Sequence, residues 1–105
     1  MASKYILICG DLDKPTADRI TYLLKADPAV AWWHYFAHSW LLVDVDDRGL
    51  EYWRDQIRNM DSTLRFALLR ASDVPAQWTG AGNLNEFKWL RDVWDRTWDP
   101  PIMRG

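Results

Sequence analysis

Residues 31–45, AWWHYFAHSWLLVDV, constrain the fold more than any other stretch of the chain. Three tryptophans, a tyrosine and a phenylalanine stand beside a continuous aliphatic run, and aromatic and β-branched side chains fill a pleated surface well. Ala37-His38 falls where a short reversal belongs, so the stretch reads as a hairpin with one strand over 32–36 and another over 39–45. In the second strand, alternation puts Leu41, Val43 and Val45 on one face and Trp40, Leu42 and Asp44 on the other. Both faces are apolar over most of their length.

The flanking segments supply the rest of a small α+β fold. Residues 4–10, KYILICG, are apolar on both alternating faces and read as a central strand. Asp11 to Pro15 breaks that strand and opens a helix, with proline in the first turn where its missing N–H does no harm. Ala17, Ile20 and Leu24, with Leu23 beside them, form its apolar stripe, and Asp27-Pro28 ends it. After a turn at 46–49, Leu50, Trp53, Ile57 and Met60 repeat at helical spacing. Residues 63–71 read as a fourth strand and 72–82 as a loop carrying Trp78, which either adds a short edge strand or packs over an open side of the sheet. Asn83 with Glu86 resembles a capping box for a last helix over 83–98, with the stripe Leu84, Phe87, Leu90, Trp94 and Trp98. Residues 99–105 read as a tail.

The order is β-α-β-β-α-β with an extra C-terminal helix, the ferredoxin-like arrangement in which two helices cover one face of an antiparallel sheet. At 105 residues the chain reads as one domain with its core in 4–71. The sheet face away from the two helices is also apolar. Either the last helix or a second subunit must cover it, and we expect a homodimer to which that helix contributes.

Composition narrows the function classes. A formal net charge of −2 gives no overall field for a polyanion, so nucleic-acid binding would need a local basic patch. The one cysteine, Cys9, lies in the apolar run YILIC and reads as a small buried hydrophobe in a reducing compartment. The N-terminal stretch lacks the features of a signal peptide, and no run is long enough to cross a bilayer, so we expect a cytoplasmic location with no membrane partner. The eight tryptophans mark core and contact surface together.

Residues 5–11, YILICGD, together with Trp32-Trp33-His34-Tyr35 and Ser39-Trp40-Leu41-Leu42-Val43, resemble the SinR-like branch of the CRISPR-associated protein two superfamily, which is related to the VapD toxin ribonucleases. The topological likeness covers roughly residues 4–71. It implies a ferredoxin-like homodimer and a metal-dependent nuclease acting on RNA or DNA. The strand-end aspartate of the superfamily is matched by Asp11, which would be the catalytic carboxylate. A Mg²⁺ ion held by Asp11, with Asp13 as a second oxygen ligand, would stabilise charge on a phosphodiester. Other members are non-catalytic scaffolds that hold DNA. The arginine-rich first helix of those scaffolds is represented here only by Arg19 and Lys25.

Each candidate has a plainer use. Asp11 can be a turn residue. Lys14, Arg65, Arg70 and Arg91 are candidate phosphate contacts or scattered surface charges. His34 and His38 have zinc-like spacing but flank a turn, with no third ligand to complete a set. Ser39, His38 and Asp44 make no triad, because neighbours on a strand point to opposite faces. Trp32, Trp33 and Trp40 can stack on bases or pack in a core or interface. The alternative to a nuclease is thus a non-catalytic dimeric interaction module, or a nucleic-acid-binding scaffold, with a tryptophan-rich surface.

Overall fold

A computed structural model describes residues 2–71 and 84–95. The loop of 72–82 with Trp78, the Asn83 cap, Trp98 and the tail of 99–105 lie outside the described residues. The elements run β1 (Ser3–Cys9), α1 (Lys14–Lys25), β2 (Val30–Trp33), β3 (Ser39–Asp44), α2 (Leu50–Met60) and β4 (Phe66–Ala71). A C-terminal helical segment follows, comprising a 3₁₀ turn over Leu84–Phe87 and a wider π turn over Leu90–Trp94. The strands form one antiparallel sheet in the order β2-β3-β1-β4, which is the ferredoxin-like topology. Among the described residues no helix is long and apolar enough to cross a membrane.

Period-two alternation gives the sheet two apolar faces. Tyr5, Leu7 and Cys9 of β1, with Trp40 and Leu42 of β3, meet Ile20 and Leu24 of α1 and Trp53 and Ile57 of α2 in the main core. Burying a tryptophan removes roughly 200 Å² from water, or about 5 kcal/mol before entropy, so Trp40 and Trp53 dominate this side. The opposite face is covered by the chain's own C-terminal segment. Phe87, Leu90 and Trp94 pack on Val43 and Ala2, with Ile6, Ala31, Trp33 and Leu41 around them. The cover stops short of the β1–β4 side, where Ile8 and Leu69 remain 48% and 47% exposed.

The hairpin departs from its expected length. β2 ends at Trp33, because the His34 ring turns to lie flat on Trp40, with centroids 4.0 Å apart, and its Nδ1 donates to the Ser39 carbonyl at 2.9 Å. Tyr35 and Phe36 thereby leave the ladder and join other aromatic rings. β4 likewise begins at Phe66 rather than at residue 63, since Asp61 turns the preceding segment by accepting from the Thr63 N–H at 3.0 Å.

At the far end of β3, a fully buried carboxylate links three parts of the chain. Asp44 accepts from the backbone N–H groups of Asp46 and Arg48, each at 3.0 Å, and from Trp53 Nε1 at 2.9 Å. The Arg48 guanidinium reaches Asp44 through Nε and Nη2, and Asp27 through Nη1 at 2.9 Å. It also lies 4.7 Å from the Tyr52 ring centre and 5.0 Å from that of Trp53. Burial pushes the Asp44 carboxyl pKa up, but the Arg48, Trp53 and Asp46 hydrogen bonds outweigh it and hold the value below the ordinary carboxylate range.

Breaking this pair by Arg48→Ala strands a buried charge and should cost about 3–5 kcal/mol in urea unfolding. Because the folded-state pKa of Asp44 is depressed, its contribution is present above the unfolded value of about 3.9 and is lost as pH falls through the folded value. A stability–pH curve of the wild type should therefore fall steeply below about pH 4, and Asp44→Asn should flatten that limb.

Candidate functional site

The end of β1 carries the two acids singled out by sequence. Asp11 has φ 41°, in the left-handed region, where aspartate is tolerated better than most side chains. Its side chain is 83% exposed and ion-paired with Arg65, which the β1–β4 register places beside it. The Gly10 N–H donates to the Arg65 carbonyl at 3.0 Å, fixing that juxtaposition in the backbone. Asp13 is the N-cap of α1, accepting from the Thr16 N–H at 2.9 Å. Hydrogen bonds from the Thr16 side chain and backbone hold its carboxyl below the usual range.

Both carboxylates are thus engaged with partners in this chain. Among the described residues, no group of three or more His, Cys, Asp or Glu side chains is placed to hold a metal ion. A Mg²⁺ ion on Asp11 and Asp13 would have to compete with a guanidinium and with a helix cap. These residues do not fit a resident divalent ion.

The cations are dispersed. Lys14 pairs with Asp18 one turn along α1 at 2.8 Å, and Arg70 pairs with Asp47 at 3.6 Å. Arg65 and Arg70 lie at opposite ends of β4, about 16 Å apart at 3.3 Å per residue. Arg91 is exposed on the C-terminal segment, which packs on the opposite sheet face from α1. The fold brings Arg65 to Asp11, and carries Arg70 to the other end of β4 and Arg91 to the opposite sheet face. Cys9 is buried against the helices, and burial pushes its thiol up to about 11, which leaves it an unreactive core residue.

The structure does gather aromatic rings. Trp33 lies 5.7 Å from Tyr35, 5.9 Å from both Phe36 and Phe87, and 6.4 Å from Trp89 in a stacked arrangement. Tyr35 further contacts Phe36 and Phe87, and Trp89 contacts Trp94. Phe87 and Trp94 are buried, whereas Trp33, Tyr35 and Trp89 are half-buried and Phe36 is 53% exposed. The cluster opens to solvent where edge strand β2, the hairpin loop and the C-terminal segment meet. Sequence reading identified Trp33 as a contact candidate but missed Phe36 and Trp89. The pairing of Trp33 with Trp89 spans the chain, and only the abundance of tryptophan hinted at it.

No family model, curated protein or solved structure matches the chain.

A structural role for the two acids has a distinct mutational signature. Asp11→Gly should keep or raise stability, while a β-branched residue, Asp11→Val, should cost about 1 kcal/mol or more through its left-handed backbone. Asp13→Ala should lower the urea midpoint, and Asp13→Ser, which keeps a capping oxygen, should recover most of it.

Proposed function

We propose that this chain is a non-catalytic interaction module of the SinR-like type, which binds a partner protein through the aromatic surface formed by Trp33, Tyr35, Phe36 and Trp89. The observation that carries this reading is the ring cluster itself, half-buried and crowned by the exposed Phe36. Large rigid rings give contact area at low entropic cost, which is why such clusters anchor protein interfaces. Base-stacking platforms normally accompany a basic groove. Here the chain carries a formal net charge of −2, and the neighbouring Lys88 has Asp92 one turn away, which favours a protein partner.

We also propose that two copies associate through the uncovered strip of Ile8, Ala67 and Leu69. The two-sided apolar sheet calls for cover there, and among the described residues the C-terminal segment leaves Ile8 and Leu69 about half exposed. The competing reading is a Mg²⁺-dependent nuclease centred on Asp11, which draws on the exposure of that carboxylate beside Arg65.

Incubating wild type and Asp11→Asn with single- and double-stranded RNA and DNA in Mg²⁺ or Mn²⁺ separates these readings. Equal, background-level products from both proteins are expected. Cleavage by wild type that Asp11→Asn abolishes, with the fold intact, would establish the nuclease instead. In light scattering the wild type should be a dimer and Leu69→Asp a folded monomer. A wild type that stays monomeric at high concentration would remove the self-association.

A further inference from the structure

A second surface, remote from the aromatic cluster, lies between α2 and β4. Leu50, Glu51, Arg54 and Arg58 of α2, with Leu64, Phe66 and Leu68 beneath, line an open cavity of about 380 Å³. Its floor is apolar, since Leu64, Phe66 and Leu68 are half-buried side chains at alternate positions. Its rim is cationic along one stretch. Arg54 and Arg58 are four residues apart and so share a face of α2. Arg54 pairs only with its exposed neighbour Asp55, at 3.1 Å, a contact worth little in water, and Arg58 makes no ion pair among the described residues. Glu51 lies one turn nearer the helix start, so the positive charge is concentrated at the Arg54–Arg58 end.

The backbone beside this groove is also available. β4 is the last strand of the sheet, with β1 on one side and no strand on the other among the described residues. The Gly10 N–H to Arg65 carbonyl bond shows that Arg65 faces β1, and in an antiparallel ladder alternate residues do so. Residues 67, 69 and 71 therefore bond to β1, while the N–H and C=O groups of Phe66, Leu68 and Arg70 turn outward. Thus two of the three β4 residues with outward backbone groups, Phe66 and Leu68, also put their side chains into the groove.

We infer that this groove is a peptide-docking site that takes an extended segment of a partner protein as an added strand along β4, with apolar and acidic side chains together at the every-second positions that face the groove. Main-chain hydrogen bonds to Phe66 and Leu68 would hold the segment, its apolar side chains would rest on Leu64, Phe66 and Leu68, and its carboxylates would meet Arg54 and Arg58. The inference does not rest on the aromatic surface and stands or falls separately from it.

The test is to pan a random octapeptide display library against the full chain and then measure one enriched synthetic peptide by fluorescence anisotropy and amide hydrogen exchange. Enriched sequences should carry both Asp or Glu and aliphatic or aromatic residues at every second position, the positions that face the groove. Their affinity should fall at least about ten-fold in the surface double variant Arg54→Glu/Arg58→Glu, and the Phe66 and Leu68 amides should exchange more slowly when peptide is bound. Lack of acidic enrichment, equal binding to the double variant, or unchanged exchange at both amides would overturn the proposal. So would a twelve-residue oligothymidylate that binds to wild type and is lost in the same variant, or self-association abolished by it, since either would assign the groove to a different occupant.

Discussion

Asp44 holds the ends of the architecture together. It terminates β3, receives the backbone of the turn that follows, anchors Arg48 at the entry to α2 and accepts the indole N–H of Trp53 from the core. Through Arg48 it also reaches Asp27, at the join between α1 and β2. A buried carboxylate is tolerable only when every such bond is made. The network therefore specifies how both helices seat on the sheet, and it sits at the opposite end of the strands from Asp11.

The two faces of the sheet were legible because alternation in β1 and β3 is strict. Trp40 and Leu42 go to the helices, while Leu41 and Val43 go to the other side. The stripe Phe87, Leu90 and Trp94 was likewise readable as one face of a helix, although the chain widens into a π turn closed by the Asp95 N–H on the Leu90 carbonyl at 2.9 Å. Asp44 was not legible as a core residue, since in the string VDVDDRG it looks like one of several turn acids. Its role depends on a turn that folds Arg48 back upon it.

Long-range pairing limited the reading of the site in the same way. Asp11 and Arg65 are 54 positions apart, and only the β1–β4 register joins them. The same register carries Arg70 to the far end of the strand, which disperses the cations that a list of residues had grouped. Asp13 could be read as preceding a helix, but its commitment to the Thr16 N–H is a matter of local geometry. At the surface the fold also converges rings, with Trp33 the ring shared by Tyr35, Phe36, Phe87 and Trp89.

The central claim is that Asp11 and Asp13 serve the chain's own backbone and side chains rather than a metal ion. Titrating Mn²⁺ into the ¹⁵N-labelled protein and following amide line widths tests it most directly. The account predicts no selective, saturable broadening at residues 10–14. Broadening confined to those amides, saturating with added Mn²⁺ and abolished by Asp11→Asn, would contradict it.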